Sequence, residues 1–206
     1  MEKTLKESKE TFIFLASGTQ ILPFDKLITE AWYGPSRKRL FNLLIKLKKS
    51  GVVFLSGDIH CAEILKTFCT LPELGYDLIE ITSSGLSHYC FYKIIQENLL
   101  SNKFNTGEFI DDYNFAFLEF DWGEKKENAK FIVNIKNAEN QVKIKREVSY
   151  LDLIFKNSIN KTNDNYLNES DCLRKVNSRF LTFEEYVNFY IKNPMIHMCS
   201  YIHQKS

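Results

Sequence analysis

The sequence predicts an α/β fold, an α/β layer followed by a β-rich end, on three observations. Two short runs, Phe12–Ala16 and Val52–Ser56, are almost wholly apolar, as strands buried on both faces are. Between them Leu40, Leu43, Leu44 and Leu47 fall on one stripe of a helix, so that strand, helix and strand follow in the βαβ order. Downstream, three segments alternate apolar and polar residues with the period of a half-buried strand: Asn114–Asp121, Lys130–Lys136 and Gln141–Ser149.

Each element follows from local chemistry. The opening MEKTLKESKE reads as the tail of a surface helix feeding the first strand. Ser36 is placed to cap the next helix, and Gly51 stands just past its end, where helices commonly stop. Asp77–Thr82 is a further strand, and Ser87–Leu100 begins a helix. Asn137-Ala138-Glu139-Asn140 supplies turn chemistry that makes a hairpin of the last two alternating segments. Asn157–Glu169 is polar and Asn-rich, a linker by composition. It carries two glycosylation sequons, at Asn160 and Asn168, which matter only in a secreted protein. Phe183–Ile191 has the pattern of a short amphipathic helix ending before Pro194. The expected organisation is one domain over residues 1–150 and a polar linker with a short helical tail over 151–206.

At 44% hydrophobic and 26% charged residues, the chain has material for one globular core. A net charge of +1 argues against electrostatic steering toward nucleic acid or membrane surfaces. No apolar run reaches the roughly 20 residues of a transmembrane helix, and the N-terminus lacks the apolar core of a secretory signal. The compartment therefore stays open, with the secretory pathway open to a longer parent protein. Cys61, Cys69, Cys90, Cys172 and Cys199 are odd in number and lack C-x-x-C spacing, so buried thiols are expected rather than a zinc ribbon or disulfide framework. Cys61 adjoins His60, which leaves a metal or redox role open to it.

Chemistry concentrates behind the second apolar run, in Gly57-Asp58-Ile59-His60. The glycine permits a sharp exit from the strand, and Asp58 and His60 at i and i+2 can project from one side of the loop. A carboxylate with an imidazole suits iron, manganese or zinc, and oxygen alone can hold calcium. The bare pattern G-D-x-H is weak, since a loop aspartate with a satisfied histidine reads the same way.

The surrounding motifs strengthen it. TFIFLASGTQ at 11–20, Trp32, PSRKRLFNLLIKLKK at 35–49, VVFLSGDIHCAEI at 52–64 and YDLIEITSSGLSH at 76–88 stand in order. Together they resemble the C-terminal half of the PhoD-like alkaline phosphatases, within the calcineurin-like metallophosphoesterases, from about Lys3 to Ser149. The resemblance implies part of a four-layer sandwich, two mixed sheets flanked by helices, with an appended tail. It implies metal-dependent hydrolysis of a phosphoester, with iron and calcium as the family's metals and manganese or zinc as alternatives. Asp58 and His60 are carried over as metal ligands. Glu63, His88 and Arg37 are candidates for supporting a ligand or facing substrate, each with an equally plain structural reading. Arg37 and Arg39 sit beside Lys38 in a helix's first turns, where a solvated face is the simpler account. A nucleophilic serine in Thr82-Ser83-Ser84-Gly85 near His88 lacks the G-x-S-x-G setting, and local loop hydrogen bonds explain these hydroxyls better.

The family's earlier half supplies an Asp, a Gly-Asp pair and an Asn, yet Gly57-Asp58 is the only Gly-Asp pair in this chain. The expectation is therefore a chain truncated at its N-terminus, which needs the missing half of the domain for activity and presents an open sheet edge. The alternative is a catalytically inactive module with a binding or structural role. His197 and His203 near the end of the chain read as solvated rather than as ligands.

Overall fold

The computed structural model describes residues 1–23, 31–32, 34–67, 74–89 and 104–156. It is a mixed α/β structure with two sheets and few helices. In chain order the elements are α1 (Glu2–Glu7), β1 (Ile13–Ala16), α2 (Gly34–Leu47), β2 (Val52–Ser56), β3 (Ala62–Lys66) and β4 (Ile79–Ser83). There follow β5 (Asn105–Ile110), β6 (Asn114–Asp121), β7 (Lys130–Asn137) and β8 (Val142–Ser149), with 3-10 turns at Lys126–Asn128 and Tyr150–Leu153.

The first sheet has the order β1-β2-β4-β3-β5. Its β1–β2 and β2–β4 pairs are parallel, whereas β3 runs antiparallel to both β4 and β5. Val52, Val53 and Phe54 are buried, as the apolar run requires of a central strand. The second sheet, β6-β7-β8, is an antiparallel meander. Its last hairpin turns at Asn137–Gln141, with Asn140 left-handed and Asn137 Oδ1 accepting the Gln141 N–H at 2.9 Å. The two sheets meet through aromatic edges: Phe12 and Phe14 of the β1 region lie 5.0 and 5.5 Å from Phe131 of β7, measured between ring centroids.

Two helix boundaries differ from the sequence expectation. α2 begins at Gly34, so Ser36 lies inside its first turn instead of capping it. Its end is not set by Gly51 but by Lys48, left-handed at φ 49°, with Lys48 N–H bonded to the Ile45 carbonyl and Lys49 N–H to that of Leu44. That paired closure is the Schellman arrangement, here with lysine in the position glycine usually takes. Gly51 serves a close approach: at φ +74°, a Cβ there would stand 2.0 Å from the Thr11 carbonyl oxygen.

Strands β3 and β5 were not anticipated as strands. The helix expected over 87–100 lies mostly outside the described residues, and Ser87, His88 and Tyr89 are not helical. The sequons, the helix expected at 183–191, His197, His203 and four of the five cysteines also fall outside them. The packed body continues past residue 150. Leu153 is buried, its carbonyl accepts the Gly51 N–H at 2.8 Å, and the backbone of Lys156 presses against Gly75.

Among the described residues both sheets end in edge strands on one side. β1 is the edge of the first sheet and β6 that of the second, and Phe14 meets Phe120 edge-on at 5.8 Å between them. Phe120 stacks on Trp122, and Phe115, Phe117 and Trp122 are exposed.

Candidate functional site

Three loops leave the carboxyl ends of the parallel strands β1, β2 and β4 and converge, the position where open α/β sheets commonly bind ligands. They carry Ser17-Gly18, Gly57-Asp58-Ile59-His60 and Ser84-Gly85 followed by His88. A Cβ on Gly57 would lie 3.4 Å from the Gly18 carbonyl oxygen and 3.6 Å from Ser84 Cβ. The three loops thus meet at Gly57, where a Cβ would make only ordinary van der Waals contact, while the space beside Gly18 stays open.

The loop after β2 is held in an uncommon conformation. Asp58 at φ 73° and His60 at φ 56° are both left-handed, a region non-glycine residues seldom occupy. Each such residue costs about 1–3 kcal/mol, and such strain gathers at binding and catalytic sites. Asp58 is exposed and His60 half-buried, whereas Ile59 between them is buried and anchors the loop. The loop after β4 is clasped onto it: Ser84 N–H and Ser84 Oγ both donate to the Cys61 carbonyl at 3.2 Å. His88 is thereby brought to His60, with ring centroids 6.1 Å apart, and its Nδ1 lies 3.1 Å from Ser87 Oγ.

The other candidates are placed differently. Glu63 is fully buried on β3, its two carboxylate oxygens accepting from Gln20 Nε2 at 2.9 Å and Asn105 Nδ2 at 2.7 Å. Arg37 is buried as well and is not part of a solvated face. Its guanidinium donates to the carbonyls of Ile21 and Pro23, which fastens the β1–α2 connection to the helix. Arg39 is exposed and reaches Ser36. Trp32 donates through its indole N–H to Ser17 Oγ at 2.9 Å and packs on the core. Ser83 Oγ donates to Asn114 Oδ1 at 2.9 Å, so Ser83 and Ser84 both serve local loop bonds. Cys61 is fully buried and not disulfide-bonded.

A buried polar network beneath the loops escaped the sequence reading. Glu80 of β4 is fully buried, and its two oxygens accept the backbone N–H groups of Ile21 at 2.8 Å and Leu22 at 2.7 Å. Burial pushes its carboxyl up to about 7, although the Leu22 N–H, the Ser56 hydroxyl and the Ile21 N–H favour the charged form. Glu63 nearby adds to the rise. Gln20 Nε2 also donates to Thr82 Oγ1 at 2.8 Å, and Thr82 Oγ1 lies 2.8 Å from Ser56 Oγ. The signal was present: a glutamate inside Leu78-Ile79-Glu80-Ile81 and another inside Ala62-Glu63-Ile64-Leu65 are charges in otherwise apolar strands.

Asp58, His60 and His88 offer the carboxylate oxygen and imidazole nitrogens that suit a divalent or trivalent cation. Their number falls short. Among the described residues no group of three or more His, Cys, Asp or Glu side chains is gathered to hold a metal ion, so the described donors do not by themselves complete a catalytic centre.

No family model matches the chain, and no curated protein matches it. Among solved structures, one described as "Structure of PhoD" aligns with 85% of this chain at a TM-score of 0.44 and 14% identity. The chain spans 38% of the length of that structure. No helix among the described residues is long and apolar enough to cross a membrane.

Proposed function

We propose that the chain contributes to a PhoD-like, metal-dependent phosphoester hydrolase as the C-terminal part of a four-layer sandwich. The observation that supports this best is the convergence of the Gly18, Gly57–His60 and Ser84–His88 loops at the carboxyl ends of parallel strands, with Asp58 and His60 in left-handed conformations. In this reading Asp58 and His60 ligate metal, iron with calcium or else manganese or zinc, and His88 stands beside His60 on the substrate side. Glu63 acts from below, through Gln20 and Asn105. Arg37, bound to the carbonyls of Ile21 and Pro23, holds the scaffold. The metal, when bound, would supply charge stabilisation for the phosphoryl oxygens and an acidified water. Because the described donors are too few, this reading takes its remaining ligands from outside the described residues, with an upstream segment of the domain as one source.

The test is metal retention and hydrolysis of a chromogenic monoester and diester by the 206-residue chain and its Asp58→Ala/His60→Ala variant. Iron, calcium, manganese and zinc are supplied separately. Metal kept by the parent chain and lost from the double variant supports the assignment; equal retention by both overturns it. Turnover that disappears in the variant would show that this chain completes a site without the upstream half.

The exposure of Phe115, Phe117 and Trp122 beside the open edge of β6 favours a second reading, a non-catalytic module that binds through that edge. Its mark would be absence of turnover with every metal, together with a fold unaffected by the double variant.

A further inference from the structure

The three loops of the candidate site are each tethered, two residues away, to one buried polar chain. Gln20 follows Gly18 by two positions, Ser56 precedes Asp58 by two, and Thr82 precedes Ser84 by two. Gln20 and Thr82 are fully buried, and Ser56 is half-buried.

The chain runs from an amide through two hydroxyls toward a carboxyl. Gln20 Nε2 spends its two protons on Glu63 Oε1 at 2.9 Å and Thr82 Oγ1 at 2.8 Å. Ser56 lies beside the Glu80 carboxyl, whose charged form its hydroxyl favours. Thr82 Oγ1 also lies 2.8 Å from Ser56 Oγ, and either hydroxyl can donate in that contact. Glu80 in turn grips the N–H groups of Ile21 and Leu22, immediately after Gln20, and closes the ring on the segment where it began. The backbone of that segment is fixed a second time, since the Gln20 carbonyl accepts the Trp32 N–H at 2.8 Å.

We propose that Gln20 and Thr82 are positioning residues for the Gly57–His60 site, setting the three loops relative to one another through the hydrogen-bonded chain Glu63–Gln20–Thr82–Ser56, with Glu80 holding the Ile21 and Leu22 N–H groups beside it. This rests on the reading of Asp58 and His60 as ligands. Apolar packing would fill the same volume but leave the strand ends free to slide by fractions of an ångström. Hydrogen bonds that join the Gln20 segment to β2, β3 and β4 depend on distance and angle and do not allow that freedom. Supporting partners of this kind matter to metal sites, where their loss commonly lowers affinity ~10-fold or more.

The experiment compares Thr82→Val, which removes the hydroxyl and keeps the shape, with Thr82→Ser, which keeps the hydroxyl. The readout is the set of ring C–H cross-peaks of His60 and His88 in two-dimensional NMR, assigned through His60→Gln and His88→Gln. A second readout is manganese retention by the full chain, and urea unfolding is recorded alongside. The expected result is displaced His60 and His88 signals and a loss of manganese affinity of about tenfold or more in Thr82→Val, both restored in Thr82→Ser. Ser56→Ala, which cuts the chain one link further on, replaces Thr82→Val if the latter does not fold, with the same displacement expected. Unchanged imidazole signals in the folded variants, with stability alone lowered, would overturn the proposal and reduce the network to packing. Manganese retained equally after Asp58→Ala/His60→Ala would overturn the ligand reading instead, whereas a parent chain that retains none is what an incomplete site predicts and leaves the ring signals to decide. The ring signals need neither metal nor turnover, so the two failures are distinguishable.

Discussion

Replacing Glu80 with glutamine should flatten part of the pH dependence of stability. In the fold its carboxyl is pushed up to about 7 by burial, against an ordinary value of 4.5. Between those two values the folded chain keeps a proton that the unfolded chain has released. Folding then takes up a proton, and stability falls as pH rises, by up to about 1.4 kcal/mol per unit. This contribution is fully present below pH 4.5 and gone above about pH 7. From 4.5 to about 7, at about 1.36 kcal/mol per pH unit, the whole effect is about 3 kcal/mol. Glu80→Gln cannot titrate, and its amide can accept only one of the Ile21 and Leu22 N–H groups. It therefore carries a pH-independent cost of about 1–3 kcal/mol for the group left unmatched. Asp77, which burial shifts in the same direction, is present in both proteins and cancels from the comparison. Urea unfolding followed by tryptophan fluorescence at pH 4.5, 5.5, 6.5 and 7.5 reads the difference. The advantage of the parent over Glu80→Gln should shrink by about 3 kcal/mol across that range. A difference that stays constant would show that Glu80 is not a buried acid holding its proton to neutral pH, and the reasoning would fail.

Two further outcomes follow from the fold. Gly51→Ala places a Cβ 2.0 Å from the Thr11 carbonyl oxygen at φ +74°, and should cost at least about 2 kcal/mol in urea unfolding. An alanine as stable as the parent would refute the close approach of β2's entry to the β1 strand. Phe117→Lys, on the open edge strand β6 where Phe117 is 52% exposed, should lower concentration-dependent self-association in light scattering. Its effect on stability should stay within about 0.5 kcal/mol, as for other exposed surface positions.

The strands legible in the sequence were those whose side chains state their surroundings directly. Val52-Val53-Phe54-Leu55 has no polar residue to misplace, and the alternation of Lys130–Asn137 and Val142–Ser149 gives both the strands and their buried faces. β3 and β5 were hidden for different reasons. β3 is Ala62-Glu63-Ile64-Leu65-Lys66, and its glutamate at the second position reads as loop until Gln20 and Asn105 are seen to satisfy it. β5 begins Asn105-Thr106-Gly107, which is turn chemistry. Asn105 Oδ1 does accept the N–H groups of Gly107 and Glu108, and the pairing with β3 slips between Glu63 and Leu65. The register irregularity and the turn are one local event inside a strand. At the site, Gly57-Asp58-Ile59-His60 was visible as a motif, but its left-handed backbone was not. No spacing rule predicts two non-glycine residues at positive φ within one loop. The role of Arg37 was hidden as well, because it depends on where the carbonyls of Ile21 and Pro23 lie rather than on the helix that carries it.

The polar network is costly as a source of stability, and its composition says what it contributes instead. Two glutamates on neighbouring strands, facing one glutamine and two hydroxyls, would hold the sheet no better than apolar side chains of similar volume. Glu80 held near its neutral form and Glu63 satisfied by two amide donors keep the desolvation cost bearable. What apolar residues could not supply is direction. Strand β3 runs opposite to β1, β2 and β4, so Glu63 approaches the network from the strand that immediately follows the Gly57–His60 loop, while Ser56 approaches from the strand that precedes it. The loop is thus gripped at both of its roots by the same buried amide and hydroxyl chain. Strain of about 1–3 kcal/mol at each of Asp58 and His60 persists only where the surroundings over-determine the backbone. Two roots bonded into one network, with Ser84 closed onto Cys61 above them, meet that condition. Relaxing the network should therefore alter the loop before it unfolds the sheet.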